Sequence, residues 1–451
     1  MSAPATAPAA PSAARVRART SLGVLEALAG TGITVHQGRC VEVRNRHTTC
    51  QLCADACTSG AISFEDGCLK VEAARCIACG TCATVCPTCA IESVDPTDEG
   101  LLASCVAAAQ ACDGRATIAC ARTLVDVADR YNPDRVACVT CLGRVDESLL
   151  AGMAAAGVTS VTLVAAGCDA CEYVRGREVC GEVVASADAL LRAWGRELPV
   201  EFVEELPADV LLPEGAQGEA VFDPRRAGVM RMARAAEMGV RAAEAAEAQD
   251  AAGSAEGACG PQGSAADAPA GAGVQDGAAL KGVAAGAQAP AEKPVPASAV
   301  LKVGRDGTLP HHVPTRRGRL LDALASIGEP AEEPVATRLW ASVFIDTERC
   351  GSCRLCAVFC PTGALRKFDD RRTATFGVEH EPGKCVKCRC CEDVCPEQAI
   401  TIVDEVYPSD LASDHAERFE MRPREIEPGR PDAMVKRMRN LLSTSQYVNF
   451  A

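Results

Sequence analysis

The stretch CGSCRLCAVFCP at residues 350–361 is followed by CVKCRCCEDVCP at residues 385–396. In the first, Cys350, Cys353, Cys356 and Cys360 have the spacing C-x2-C-x2-C-x3-C, and Pro361 comes next. In the second, Cys385, Cys388, Cys391 and Cys395 repeat that spacing, and Pro396 comes next. A [4Fe-4S] cube needs four soft thiolates around it. Three can come from one tight loop with two-residue gaps, whose backbone amides face the sulfides. The fourth must come from elsewhere, so two runs exchange one thiolate each and lock into a pseudo-symmetric pair. The proline after each fourth cysteine turns the chain into the next segment, Thr362 to Leu365 in one half and Glu397 to Ile400 in the other. Cys390 stands directly before a ligand and has no assigned role.

This region resembles the bacterial 2[4Fe-4S] ferredoxins over about 60 residues. The resemblance implies a small α+β ferredoxin-like module. In it Cys350, Cys353, Cys356 and Cys395 hold one cluster, and Cys385, Cys388, Cys391 and Cys360 hold the other. Structural zinc in paired C-x2-C motifs is the alternative. Two complete runs, each closed by Cys-Pro, weigh against it.

A second cysteine-rich region precedes it. Cys76, Cys79, Cys82 and Cys86, with Pro87 next, form a third complete run. Its partner is altered: Cys50, Cys53 and Cys57 fit the last three positions, and the first falls on His47. Between the runs, Ala61 to Glu65 and Cys68 to Glu72 read as strands joined at Asp66-Gly67, a hairpin signal. The ferredoxin resemblance therefore extends to Cys40 to Val94, with one ligand open. Cys40 can supply it from a longer loop, His47 can coordinate directly, or the site is incomplete. The pairing the resemblance favours is Cys40, Cys50, Cys53 and Cys86 for one cluster, and Cys76, Cys79, Cys82 and Cys57 for the other. Cys68 and Cys89 are left over, and Cys68 reads as a small apolar residue in its strand.

From Leu101 to Trp194 the pattern changes. Ala116 to Ala121, Arg135 to Thr140 and Val158 to Ala165 read as strands, and Asp146 to Ala156 and Glu182 to Trp194 as helices. Alternation of this kind predicts a small α/β domain with a parallel sheet. Cys120, Cys138, Cys141, Cys168 and Cys171 then fall at the carboxyl edge of the sheet, where ligands bind in open parallel sheets. Cys105 and Cys112 share one face of an apolar helical stretch and read as core. The segment Cys141 to Asp146, with Val161 to Ala165, Cys168 and Cys171 to Tyr173, resembles the delta subunit of methyl-viologen-reducing hydrogenases. That family passes electrons between a hydrogenase and heterodisulfide reductase. The resemblance implies a [2Fe-2S]-type centre, carried over here to Cys120, Cys141, Cys168 and Cys171, with Cys138 as the alternate. Three departures remodel the site: the last cysteine pair, Cys168 and Cys171, is set closer than in the family, Glu172 stands where the family has a histidine, and an upstream cysteine pair is reduced to Cys120. Zinc and uncoordinated thiols are the competing readings.

The whole chain has 451 residues, 28 of them Cys, only 3% aromatic, and a net charge of −14. Few large anchors are available for a core, so cysteine-bound cofactors take part of that role. The acidic balance argues against nucleic acid, whose phosphates require Lys and Arg. No apolar run reaches the 18 residues or more of a membrane span, so any membrane association would be peripheral, through a partner. No export signal is visible near Met1, which predicts a cytoplasmic, reducing location where close-set cysteines are ligands. Residues 251–300 hold 18 Ala, 9 Gly and 5 Pro. They read as a disordered linker spanning on the order of 40 Å, on which the last module swings between donor and acceptor.

The predicted layout is a disordered head and short helix at 1–36 and a ferredoxin-like module at 37–98. The α/β domain follows at 99–198, a helical then low-complexity linker at 199–338, a second module at 339–408 and a polar tail at 409–451. No nucleotide loop and no constellation for substrate chemistry is present. The expected protein is a non-catalytic electron-transfer subunit with four [4Fe-4S] clusters and one further Fe-S centre. It would serve redox subunits of an anaerobic oxidoreductase complex, a hydrogenase or a heterodisulfide-reductase-like one. The alternative is a redox-responsive regulatory or cluster-assembly protein. A zinc-rich scaffold is a third reading.

Overall fold

In the computed structural model, residues 32–213 are described except 46, 128 and 129, together with 301–422 except 303, 305 and 306, and 448–449. Residues 1–31 of the expected head, the low-complexity linker at 251–300 and most of the expected polar tail lie outside the described residues.

The first cysteine-rich region opens with β1 (Ile33–Val35) and two short helices, α1 (Val41–Arg44) and α2 (Leu52–Asp55). The predicted hairpin follows as β2 (Ile62–Glu65) and β3 (Cys68–Val71), in register from Ile62 opposite Val71 to Glu65 opposite Cys68. Asp66 and Gly67 both take positive φ, 50° and 70°, as a two-residue turn matched to strand twist requires. Then come α3 (Thr81–Val85) and β4 (Ile91–Ser93), which returns antiparallel to β1. Ile33, Val43, Ile62, Leu69 and Ile91 share one core with Cys40, Cys53, Cys82 and Cys86.

The α/β domain has the sheet that alternation predicted, with one strand more. α4 (Asp98–Ala111) starts at Thr97, whose hydroxyl accepts the Gly100 amide at 3.1 Å, an N-cap that satisfies an otherwise unpaired donor. It leads through β5 (Arg115–Cys120), α5 (Ala121–Asp126), β6 (Ala137–Val139), α6 (Glu147–Ala155), β7 (Ser160–Val164) and α7 (Arg175–Ala193) to β8 (Val200–Val203). The sheet order is β6-β5-β7-β8 and every pair is parallel. Helix α7 starts seven residues before the predicted Glu182, and β8 was not expected. Cys105 and Cys180 are buried in the domain core, and Cys112 caps α4.

The stretch expected to be linker up to residue 338 is structured from 307 onward. α8 (Thr315–Ile327) packs on α6, and Leu320 and Leu324 enter the α/β core. The second cysteine-rich region then runs through β9 (Val335–Ala336), β10 (Ser342–Ile345), α9 (Leu355–Phe359), the hairpin β11 (Leu365–Asp370) and β12 (Thr375–His380), α10 (Cys390–Asp393), β13 (Ile400–Val403) and β14 (Glu405–Val406). Strand β10 pairs antiparallel with β13, and β9 with β14. What looked like tail adds α11 (Pro408–Leu411) and β15 (Glu417–Glu420), which pairs with β12 and buries Phe419.

The expected swinging module is packed in place. Trp340, fully buried, shares the α/β core with Val335, Val406 and Leu411. Its indole donates to the Gly383 carbonyl at 3.2 Å. A separate apolar cluster joins Val41 of the first region to Leu309, Leu355, Phe359, Cys390 and Val394 of the second. The Thr49 amide donates to Asp393 at 3.0 Å, and Arg338 grips Glu147 on α6.

Candidate iron-sulfur sites

The two cysteine-rich regions share a plan that their sequences outside the cysteines hide. In the second, β10 ends five residues before Cys350, and β13 begins five after Cys395. In the first, β1 ends five residues before Cys40, and β4 begins five after Cys86. The hairpins obey the same count, from Cys57 to Ile62 and from Cys360 to Leu365. Cys40 thus stands where Cys350 stands, and α1 is an insertion between it and Cys50.

The fourth cysteine of every run is held alike. The Sγ atoms of Cys57, Cys86 and Cys395 accept the backbone N–H four residues on, from Ala61, Ala90 and Ala399, at 3.2–3.3 Å. Cys360 accepts from Leu365 at 3.5 Å. A hydroxyl two residues on faces three of these sulfurs: Ser59, Thr88 and Thr362, at 3.7–3.8 Å. Such amides stabilise negative charge on sulfur.

The thiols gather in quartets. Burial pushes Cys40 up to about 12, and Cys86 and Cys50 beside it add to the rise. Cys53 is raised by burial and by Cys86, Cys40 and Cys50. These four are one group. His47, the other candidate in register, is exposed, with its amide on Asn45 Oδ1 at 2.8 Å, and does not join them. Cys82 is raised by burial and by Cys79, Cys76 and Cys57. In the second region, Cys356 is raised by burial and by Cys353, Cys350 and Cys395. Cys391 is raised by burial and by Cys388, Cys385, Cys356 and Cys360. Each quartet draws three thiols from one run and one from the other.

In the α/β domain the carboxyl edge gathers a fifth group. Burial raises Cys141, with Cys79, Cys120 and Cys168 adding to it. Burial lifts Cys168 to about 11, with Cys120 and Cys171 adding. Arg122 donates to Cys171 Sγ at 3.5 Å, and Thr123 Oγ1 lies 3.2 Å from Cys120 Sγ. Cys138, the alternate, packs instead with Tyr131, Leu124, Val136 and Val164 in a separate apolar cluster. The glycines Gly143 and Gly176 let this edge approach the first region. A Cβ on Gly143 would strike Thr81 Oγ1, and one on Gly176 would strike Cys141 Sγ.

Residues 349–399 match the 4Fe-4S dicluster domain family. That match covers the second region alone. No curated protein and no solved structure matches the chain. A dicluster domain and this many grouped thiols point to an iron-sulfur electron-transfer protein.

The donor set suits such clusters. Each quartet holds at least one buried thiol beside others that are part-buried, and a cationic core would offset the cost of gathering them as thiolates. Among the described residues, no three His, Cys, Asp or Glu side chains converge closely enough for a single metal ion. A cube holds its thiolates farther apart than one zinc ion does. Cys57, Cys76, Cys79 and Cys82 line a cavity closed by Ile33, Ile62 and Ile77. No disulfide ties the 27 described cysteines, and no described helix is long and apolar enough to cross a membrane.

Sequence reasoning passed over the buried arginines Arg44, Arg144 and Arg317 and the half-buried Arg316. Arg316 donates to the Cys86 carbonyl at 3.0 Å and to Cys89 Sγ at 3.5 Å. Arg317 lies over the Trp340 ring at 4.2 Å. No local pattern marks an arginine whose partner is a cysteine loop hundreds of residues away.

Proposed function

We propose that the chain is a multi-cluster electron relay with two ferredoxin-like 2[4Fe-4S] modules and a fifth Fe-S centre, of the [2Fe-2S] type, in the α/β domain. The observation that carries this reading is the fourfold repetition of the ligand geometry together with the order of the quartets. Cys356 neighbours Cys391, Cys390 neighbours Cys50, Cys53 neighbours Cys82, and Cys79 neighbours Cys141. The groups therefore follow one another as neighbours from the Cys350 loop to the sheet edge at Cys171, with Cys390 between the two modules. When bound, each cluster supplies one-electron storage and transfer. The protein fixes the spacing, excludes water by burying the thiols, and sets charge through backbone amides and arginines.

The ligands are Cys40, Cys50, Cys53 and Cys86; Cys76, Cys79, Cys82 and Cys57; Cys350, Cys353, Cys356 and Cys395; and Cys385, Cys388, Cys391 and Cys360. Cys120, Cys141, Cys168 and Cys171 hold the fifth centre. The resemblance of Cys141 to Tyr173 to hydrogenase delta subunits supports a partner oxidoreductase, a hydrogenase or heterodisulfide-reductase-like complex in anaerobic metabolism. A cytoplasmic setting, where close-set cysteines serve as ligands, suits this reading. The test is iron and acid-labile sulfide per chain on anaerobically purified protein, with EPR after dithionite reduction. About 18 iron with an added [2Fe-2S]-type signal is expected, and about 16 removes the fifth centre. Stoichiometric zinc with little iron overturns the relay.

A further inference from the structure

Arg44 ends helix α1, in the insertion between Cys40 and Cys50. Its residue is 1% exposed. Nη1 donates to the Gly38 carbonyl at 3.1 Å and, across the contact between the two cysteine-rich regions, to the Pro310 carbonyl at 2.8 Å. Nε and Nη2 have no hydrogen-bond partner. A guanidinium cannot shed its proton to escape burial, so it needs an anion. The nearby carboxylates are engaged elsewhere: Glu42 accepts from Thr48 Oγ1 at 3.1 Å, and Asp393 accepts from Thr49 at 3.0 Å. Burial pulls the Arg44 pKa down, and the groups that push it back are Cys390, Cys360 and Cys388, with no carboxylate among them. Val41, on the same helix, packs in one apolar cluster with Cys390, Phe359 and Cys388.

We propose that Arg44, a residue of the first module, is the counter-charge of the cluster held by Cys360, Cys385, Cys388 and Cys391 in the second, and raises that cluster's reduction potential above its neighbour's. The inference rests on the cluster assignment given above. Reduction adds a negative charge to that cluster, and a fixed cation in a dry contact favours the added charge. The thiols that act on Arg44 are Cys390, Cys360 and Cys388, two of them from this quartet and none from the one at Cys350, Cys353, Cys356 and Cys395, so the charge favours one cluster of the module over the other. The coupling is reciprocal: an electron on the Arg44-facing cluster tightens the contact between modules by the same free energy.

The experiment is an anaerobic potentiometric EPR titration of the full chain, comparing wild type with Arg44→Met, Arg44→Gln and Arg44→Lys. Cys385→Ser, which alters this cluster alone, assigns its wave. Met and Gln are expected to make its reduction about tenfold less favourable, about 59 mV for one electron, and to leave the other waves in place. Lys, which keeps the charge and loses the fork, is expected to stay near wild type. Unshifted potentials in Met and Gln at full iron content overturn the proposal. So does a Lys variant that shifts as far as Met, since packing would then be the cause. If the neutral variants lose iron from this site, retention by Lys supports the charge role and loss by Lys overturns it. Wild type without iron at this site overturns the cluster assignment instead.

Discussion

Arg338→Met tests whether the second module is docked rather than tethered. Arg338 Nε and Nη2 meet the two oxygens of Glu147 at 2.5 and 2.8 Å. The Glu147 side chain is only 3% exposed and Arg338 is 24% exposed. Removing one partner of a buried pair costs about 3–5 kcal/mol, because the other charge stays buried. Three features lower that figure: the partial exposure of Arg338, the position of Glu147 in the first turn of α6, where the helix dipole favours it, and the neighbouring Arg317. About 2 kcal/mol remains, which is roughly a 30-fold increase in local opening. Hydrogen exchange of peptides covering α8 reads this directly, because α8 packs on α6. The double change Glu147→Gln with Arg338→Met should recover most of the protection, since no charge is then stranded. Unchanged exchange in the single variant, or a double variant no better than the single, refutes the docking argument.

Cys40→Ser should lower iron by about four per chain, while His47→Ala leaves it unchanged; the reverse would return the ligand role to His47. Gly176→Ala should displace Cys141 and remove the fifth centre's EPR signal while the four-iron signals persist, because the added methyl meets Cys141 Sγ. His380 is buried with both ring nitrogens unpartnered, and burial lowers its pKa to about 4. The unfolded chain, near 6.5, binds the proton first, so stability falls as pH drops from about 6.5 to about 4 and then levels off, by up to about 3 kcal/mol. His380→Gln should flatten that part of the urea-midpoint profile followed by circular dichroism; an unchanged slope would assign the acid sensitivity elsewhere.

The parallel sheet was legible from alternation, because β5 and β7 are buried beyond their first residues and read as short, mostly apolar runs, RATIAC and SVTLV. Strand β8 was not, because Val200–Val203 is short, half-exposed and carries Glu201. The cysteine runs were legible because their spacing within each loop is close and regular. Cys40 was ambiguous because the insertion carrying α1 breaks that spacing, and only the pairing of β1 with β4 restores its register. Helix α8 was hidden by its neighbourhood: TRRGRLLDALASI follows Pro314 and a long Ala- and Gly-rich stretch, and was placed in the linker. Of its arginines, Arg317 is buried and Arg316 half-buried, because Asp146, Glu147 and the cysteine loops supply the compensating charge.

Docking changes how the relay must work. A tethered module would deliver electrons by diffusion, and its cysteine loops would face solvent between encounters. Here Val41, Leu309, Phe359 and Cys390 exclude water from the junction, and Trp340 ties the second module into the α/β core. Burying an aromatic of that size contributes roughly 2–3 kcal/mol relative to exposure, against a contact that already carries a bidentate ion pair. With the junction closed, Cys50 and Cys390 stay neighbours, and passage between modules does not wait on a domain motion of microseconds to milliseconds. In the relay proposed above, control of passage between modules would then be electrostatic rather than mechanical, as proposed for Arg44.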